Sequence, residues 1–133
     1  MSRSVEQMID DVIRREGGYV DHPRDRGGPT KFGITQSTLS RHLARPASAD
    51  DVRALTPEVA AEIYRRHYYE APGLDLLPQS VQPFVFDAAV NHGPGRAIRF
   101  VQEVCNAAGF GPLAVDGVCG PRTAGAAAAA DPA

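Results

Sequence analysis

The sequence predicts a mainly α protein with one small β-hairpin near its front, and three observations carry that prediction. Apolar residues recur at helical spacing in several short segments, beginning with Val5, Met8, Ile9, Val12 and Ile13. Helix boundary signals punctuate the chain: Ser4 with Gln7, Ser48 with Asp51, Thr56-Pro57, Gly93-Pro94 and Gly120-Pro121. Only "YVDHPRDRGGPTKFGI", residues 19–34, has β-prone ends around a turn rich in proline and glycine.

Taken in order, Ser4 to Glu16 reads as a helix, opened by the Ser4–Gln7 capping-box pattern and stopped by Gly17-Gly18. Tyr19-Val20 and Thr30 to Ile34 read as the two strands of the hairpin. Thr35 can cap a helix running through Leu39 and Leu43 and ending near Pro46. Ser48 with Asp51 is a second capping box, over a short helix to Leu55. Thr56-Pro57 places a cap before a proline at the first helical position. The helix it opens carries Val59, Ile63, Tyr64 and His67 on one side, and "APGLDLLP" then connects. Ser80 to His92 is apolar and helical and closes at Gly93, while Pro94 starts a helix through Ile98, Val101, Gln102 and Cys105. "GFGPLAVDG" is a loop, and Gly120-Pro121 opens an alanine-rich last helix. That helix has almost no large side chains to fix it to a core. It either packs closely or belongs to a longer C-terminal part, and truncation is the expectation.

A chain of 133 residues is long enough for one domain with a real core. Its apolar fraction of 43% and charged fraction of 23% are those of a folded protein, not a disordered one. A net charge of −2 supplies no global basic field, which argues against a nucleic-acid partner. The first 20 residues carry Asp10, Asp11, Arg14 and Arg15 among the apolar positions, and the run around "FVFDAAV" is too short to cross a bilayer. The expectation is synthesis in the cytoplasm without a signal peptide and no membrane insertion. Cys105 and Cys119 are too few for a disulfide framework and lack metal-ligand spacing, so buried thiols or a single bridge are both open. His22, His42, His67 and His92 form no HExxH, and "DGVCG" has too few oxygen ligands for a calcium loop. No metal or cofactor is implied.

Glu16 is the residue that asks for an explanation. At about 100° per residue it lies roughly 20° from Val5, in the middle of the apolar stripe, where an ordinary surface glutamate would not be. Burial and the negative end of the helix dipole both favour the protonated acid there. Such an acid is what glycoside cleavage needs to protonate the leaving oxygen. Asp25 falls in the turn of a hairpin that can fold back over the helix end, and Thr30 starts the returning strand. An acid, a second carboxylate and a hydroxyl can then border one cleft, with Asp25 holding or activating a water and Thr30 orienting it. Water delivery predicts inversion and carboxyl groups roughly 6.5–9.5 Å apart; a covalent, retaining route needs about 5–5.5 Å.

The run "EGGYVDHPRDRGGPTKFGIT", residues 16–35, resembles the opening motif of the glycoside hydrolase family 108 muramidases of phage endolysins and bacterial relatives. It matches at Glu16, Gly17, Gly18, Asp25, Gly27, Gly28, Thr30, Gly33 and Ile34 together. In that family the glutamate before two glycines is regarded as the catalytic acid, which carries over to Glu16. The run is also similar to the Glu–Asp–Thr constellation of phage-type lysozymes, although the step from Asp25 to Thr30 is one residue shorter. "IYRRHYYEAPGLDLLP" is similar to the helix closing the family's catalytic region, where a tryptophan is expected at Tyr69. "FDAAVNHGPGRAIRFVQ" and "AVDGVCGPRT" resemble the peptidoglycan-binding segment usual in the family.

The resemblance implies an α+β, lysozyme-like fold: a helical body with one small hairpin bordering a cleft. It implies a muramidase region at residues 1–78 and a peptidoglycan-binding-like segment at 79–133, truncated and packed on the first as one unit. The implied activity is hydrolysis of the β-1,4 bond between N-acetylmuramic acid and N-acetylglucosamine, with Glu16, Asp25 and Thr30 catalytic. Tyr19 is a candidate for stacking on a sugar ring. Asn91, at a helix end, reads equally as a sugar-binding amide or a helix cap. The implied partners are peptidoglycan glycan strands and a holin-type release partner, with a monomeric enzyme acting on the wall in the periplasm. A lytic transglycosylase and a non-catalytic wall-binding or secretion-assisting module are the alternatives.

Overall fold

In the computed structural model, which describes residues 4–21 and 28–131, the first predicted helix is α1, Val5–Glu16. Its apolar stripe buries Met8, Ile9 and Val12. Gly17 ends it with φ +74° and an N–H bonded to Ile13 O at 3.2 Å, a left-handed stop that glycine accepts without strain.

The hairpin departs from the expected pair of strands. Val20 and Thr30 exchange two backbone hydrogen bonds of 2.8 Å each, joining the predicted strands at one bridge. The stretch from Thr30 to Ile34 is not one strand, however. It folds back on itself as β1, Thr30–Lys31, and β2, Ile34–Thr35, with Thr30 opposite Thr35 and Lys31 opposite Ile34. Between them Phe32 and Gly33 have φ of 54° and 79°, the doubly positive pattern of a two-residue type I′ turn. Phe32 looks like a strand residue, which conceals the turn in the sequence. Thr30 therefore stands between Val20 on one side and Thr35 on the other.

Three of the caps read from the sequence, at Thr35, Ser48 and Thr56, are present. Thr35 Oγ1 accepts from the Thr38 N–H at 3.1 Å and opens α2, Gln36–Leu43. Ser48 Oγ accepts from the Asp51 N–H at 3.0 Å while Asp51 Oδ2 accepts from the Ser48 N–H at 2.9 Å, closing the capping box of α3, Ala49–Arg53. Thr56 Oγ1 accepts from Val59 N–H at 3.2 Å at the start of α4, Pro57–Ile63. From Tyr64 to Glu70 the helix winds more widely, as a π-helix. The spacing of Val59, Ile63 and Tyr64 does not distinguish the two windings.

The chain forms two compact units, one from Val5 to Tyr64 and one mainly from Arg65 onward. In the first, α1 packs on α4, α2 on β2 and α3 on β1, around Ile34, Val52, Ala60 and Ile63, all without exposure. In the second, a 3₁₀ turn at Leu74–Leu76 leads to α5, Gln82–His92, which packs on α6, Pro94–Ala107. The last helix, α7, Pro121–Ala130, packs on α6 through buried Thr123, Ala126 and Ala127. No helix among the described residues is long and apolar enough to cross a membrane.

One buried amide organises the loop before α7. Gln102 Nε2 donates to Asp116 Oδ1 at 2.9 Å, Val118 O at 3.0 Å and Thr123 Oγ1 at 3.1 Å. Its Oε1 accepts from the N–H groups of Asp116 at 3.1 Å and Gly117 at 3.0 Å. One turn further along α6, Asn106 pairs with both backbone groups of Leu113, at 2.7 and 3.0 Å. The loop's polar backbone is thus satisfied from α6, as a loop against a helix requires. Cys105 and Cys119 are both buried and free.

Candidate active site

Glu16 is the last residue of α1, and the chain turns immediately after it because Gly17 adopts the left-handed conformation. The same glycine ties the helix end to the hairpin: Gly17 O accepts from the Phe32 N–H at 2.8 Å. On the far side of the turn, Phe32 O accepts from Tyr64 Oη at 2.7 Å. Tyr64 is itself 1% exposed, so this phenol is a fixed post.

Gly33 completes the arrangement. A β-carbon there would stand 2.5 Å from Tyr64 Oη, 2.9 Å from Glu16 Cγ and 3.1 Å from Glu16 Cβ. The Glu16 side chain therefore lies along the bare edge of the turn. Phe32, without glycine's freedom, holds a left-handed φ that costs an L-residue about 1–2 kcal/mol. Its two backbone hydrogen bonds, one to Gly17 and one from Tyr64, hold it there.

The expectation that Glu16 is buried is corrected by the structure. Its side chain is 33% exposed, with Oε1 3.7 Å from Nε of Arg15. The buried stripe of α1 ends a turn earlier, at Val12, and Glu16 has its Cβ and Cγ beside Gly33 while the rest of the side chain reaches solvent. What the angular position does determine is the side on which Glu16 emerges, namely against the hairpin. A carboxyl that rests on a rigid turn and also reaches solvent can meet a substrate oxygen.

Thr30 is half-buried in the middle of the small sheet and its backbone bonds to Val20 on one side. Asp25 lies outside the described residues. Tyr19 is half-buried, and the Arg53 guanidinium covers its ring at 4.9 Å. Lys31 Nζ donates to Arg53 O at 2.6 Å, which links this pair to β1. A sugar stacking on Tyr19 would have to use the face that Arg53 leaves open. Asn91, in the second unit, is exposed in the last turn of α5 and its Nδ2 donates to Asp87 Oδ2 at 3.3 Å. It does not close the helix: the Gly93 N–H bonds to Ala89 O at 2.9 Å, and Gly93 has φ +96°. Tyr69, where a tryptophan was expected, donates from Oη to Gln82 Oε1 at 2.9 Å.

Tyr64, which reads in the sequence as one residue of an apolar helix face, holds the turn through Phe32 O. Its one signal in the sequence was a hydroxyl on that face, which needs a partner when buried. The model of glycosyl hydrolase family 108 matches residues 9–93, a span that takes in Glu16, the whole hairpin, Tyr64 and Asn91. The chain belongs to glycosyl hydrolase family 108. It is a glycoside hydrolase on that ground, and the match runs through most of the described elements. A solved chain, from the structure of Brucella abortus SagA, is similar to it at 38% identity with a TM-score of 0.86. The similarity covers 96% of this chain and 70% of SagA. The fold is the mainly α, lysozyme-like one that the sequence predicts. A comparison with curated protein sequences gives no match.

Proposed function

We propose that this family 108 glycoside hydrolase is an N-acetylmuramidase, cleaving the β-1,4 bond between N-acetylmuramic acid and N-acetylglucosamine in peptidoglycan. The observation that carries the reading is Glu16: a solvent-reaching carboxyl at a helix end, lying along the Phe32–Gly33 turn, in a chain of this family. Glu16 donates a proton to the glycosidic oxygen as positive charge develops on the departing sugar carbon. Asp25 stabilises that charge or, with Thr30, delivers a water from the opposite face. Asn91 and Tyr19 contact the glycan. The substrate lies outside the cytoplasmic membrane, so the enzyme acts at the wall, as an endolysin does after release by a holin-type partner.

Mass spectrometry of muropeptides from purified peptidoglycan, treated with the protein or with Glu16→Gln, tests this. Reducing-end muramic acid from the wild type and none from the variant is the expected result. Ends carrying 1,6-anhydromuramic acid would make the enzyme a lytic transglycosylase. Binding to the wall by both proteins with no products from either would make it a binding module.

A further inference from the structure

We propose that Tyr64 is a positioning residue for the Glu16 carboxyl. It acts through the Phe32 carbonyl, fixing the turn along which the Glu16 side chain lies. The inference rests on Glu16 being the acid, and adds a residue that does not itself reach the substrate.

Three observations carry it. Tyr64 Oη donates to Phe32 O at 2.7 Å, and the phenol is almost wholly buried, so the bond is held from a rigid base. Phe32 is at φ +54°, a conformation that an L-residue leaves when nothing restrains it. Gly33, the other turn residue, is in reach of both partners, since the same absent β-carbon would meet Tyr64 Oη and Glu16 Cγ. Movement of the turn therefore moves the surface that Glu16 rests on. Tyr64 is also where α4 gives way to the π-helix, its N–H reaching both Ala60 O and Ala61 O. Such winding changes recur at functional sites.

A purely structural tyrosine would make a different prediction from a positioning one. Removing only the hydroxyl, as in Tyr64→Phe, keeps the ring in the core but releases the Phe32 carbonyl. The expected result is a fall in kcat of about tenfold with KM within twofold, because a displaced acid affects the chemical step more than binding. Phe32→Gly in the Tyr64→Phe background gives a turn that keeps its shape without the tether, since glycine adopts positive φ freely. It should recover most of the lost kcat.

The experiment measures turnover of purified peptidoglycan by the wild type, Tyr64→Phe, the double variant and Glu16→Gln, alongside the ¹³C carboxyl signal of Glu16. The signal should move in Tyr64→Phe and return toward its wild-type position in the double variant. A Tyr64→Phe kcat within twofold of wild type, or an unmoved Glu16 signal, would overturn the proposal. So would a loss that Phe32→Gly fails to restore. Wild-type activity retained in Glu16→Gln would instead remove the reading on which the proposal rests. The carboxyl signal reports on positioning even if no turnover is seen.

Discussion

A β-carbon at Gly33 would stand 2.9 Å from Cγ of Glu16, so the glutamate is seated against a residue that has no side chain. The position is closed to other residues twice over, by this contact with its neighbour at Tyr64 Oη and by φ +79°. Gly33→Ala should therefore cost about 2–4 kcal/mol, combining left-handed strain with overpacking. Urea unfolding should show a lower midpoint with an unchanged slope. Gly17→Ala is the control: it has φ +74° but, among the described residues, nothing within 4 Å of the added carbon, so the backbone cost of about 1–2 kcal/mol is what is expected.

Gln102 is the corresponding keystone of the second unit. It is 1% exposed and takes part in five hydrogen bonds, so Gln102→Leu leaves the N–H groups of Asp116 and Gly117 without their acceptor. A loss of about 1–3 kcal/mol is expected, the cost of polar groups left without a partner, with water able to replace part of it because Asp116 is exposed and Gly117 half-buried. Gln102→Glu keeps the shape but puts a carboxyl oxygen where Nε2 now donates to Asp116 Oδ1. The charged form is disfavoured there, so this variant should gain stability relative to wild type as pH falls and the new carboxyl protonates. A deficit that stays constant from pH 7 to pH 4 would contradict that account.

Much of this arrangement was legible because its signals are local. A threonine or serine before a helix, with its partner three residues later, identifies Thr35, Ser48 and Thr56 as caps wherever the rest of the chain goes. The Glu16-Gly17 junction was legible for the same reason. The Phe32–Gly33 turn was not, because a β-prone phenylalanine takes positive φ only with help from Gly17 and Tyr64, the latter 32 residues away. Burial of Glu16 was overestimated because helical periodicity gives a direction but not what stands in that direction. Gln102 reads in the sequence only as one position of the helix after Pro94; the five groups it bonds belong to four residues 14 to 21 positions further on, three of them in a loop without periodic pattern and Thr123 in the first turn of α7.

Cys105 and Cys119 offer a test of packing in the second unit. Burial pushes both thiols up from their ordinary values, and for Cys119 the Asp75 carboxylate adds to the effect. Little thiolate is then present at neutral pH, and what there is lies behind the surface. In native protein at pH 7, reaction with a disulfide reagent should be at least about tenfold slower than in urea. Both thiols should become reactive once the chain unfolds. Rapid reaction of either in the native protein would mean that α6 or the loop before α7 opens readily.

The capping box of α3 sets an acid limit on the first unit. Arg45 Nη1 lies 3.0 Å from Asp51 Oδ2, and that bond, followed by the one from the Ser48 N–H, brings the Asp51 carboxyl down from 3.8 to about 2. The folded value is below the unfolded one, so the unfolded state takes up the proton first as pH falls. The contribution of Asp51 is thus fully present above about pH 4 and is lost as pH drops through about 2. Asp51→Asn removes the charge while keeping the size. Its urea midpoint should lie below that of the wild type by a constant amount from pH 7 to pH 5, and the gap should close between pH 4 and pH 2. Because the Arg45 and Asp51 side chains are 55% and 31% exposed, added salt should narrow the gap at neutral pH. A gap that persists unchanged at pH 2 would mean that the charge of Asp51 is not what stabilises the first unit, since the protonated acid is then as neutral as asparagine.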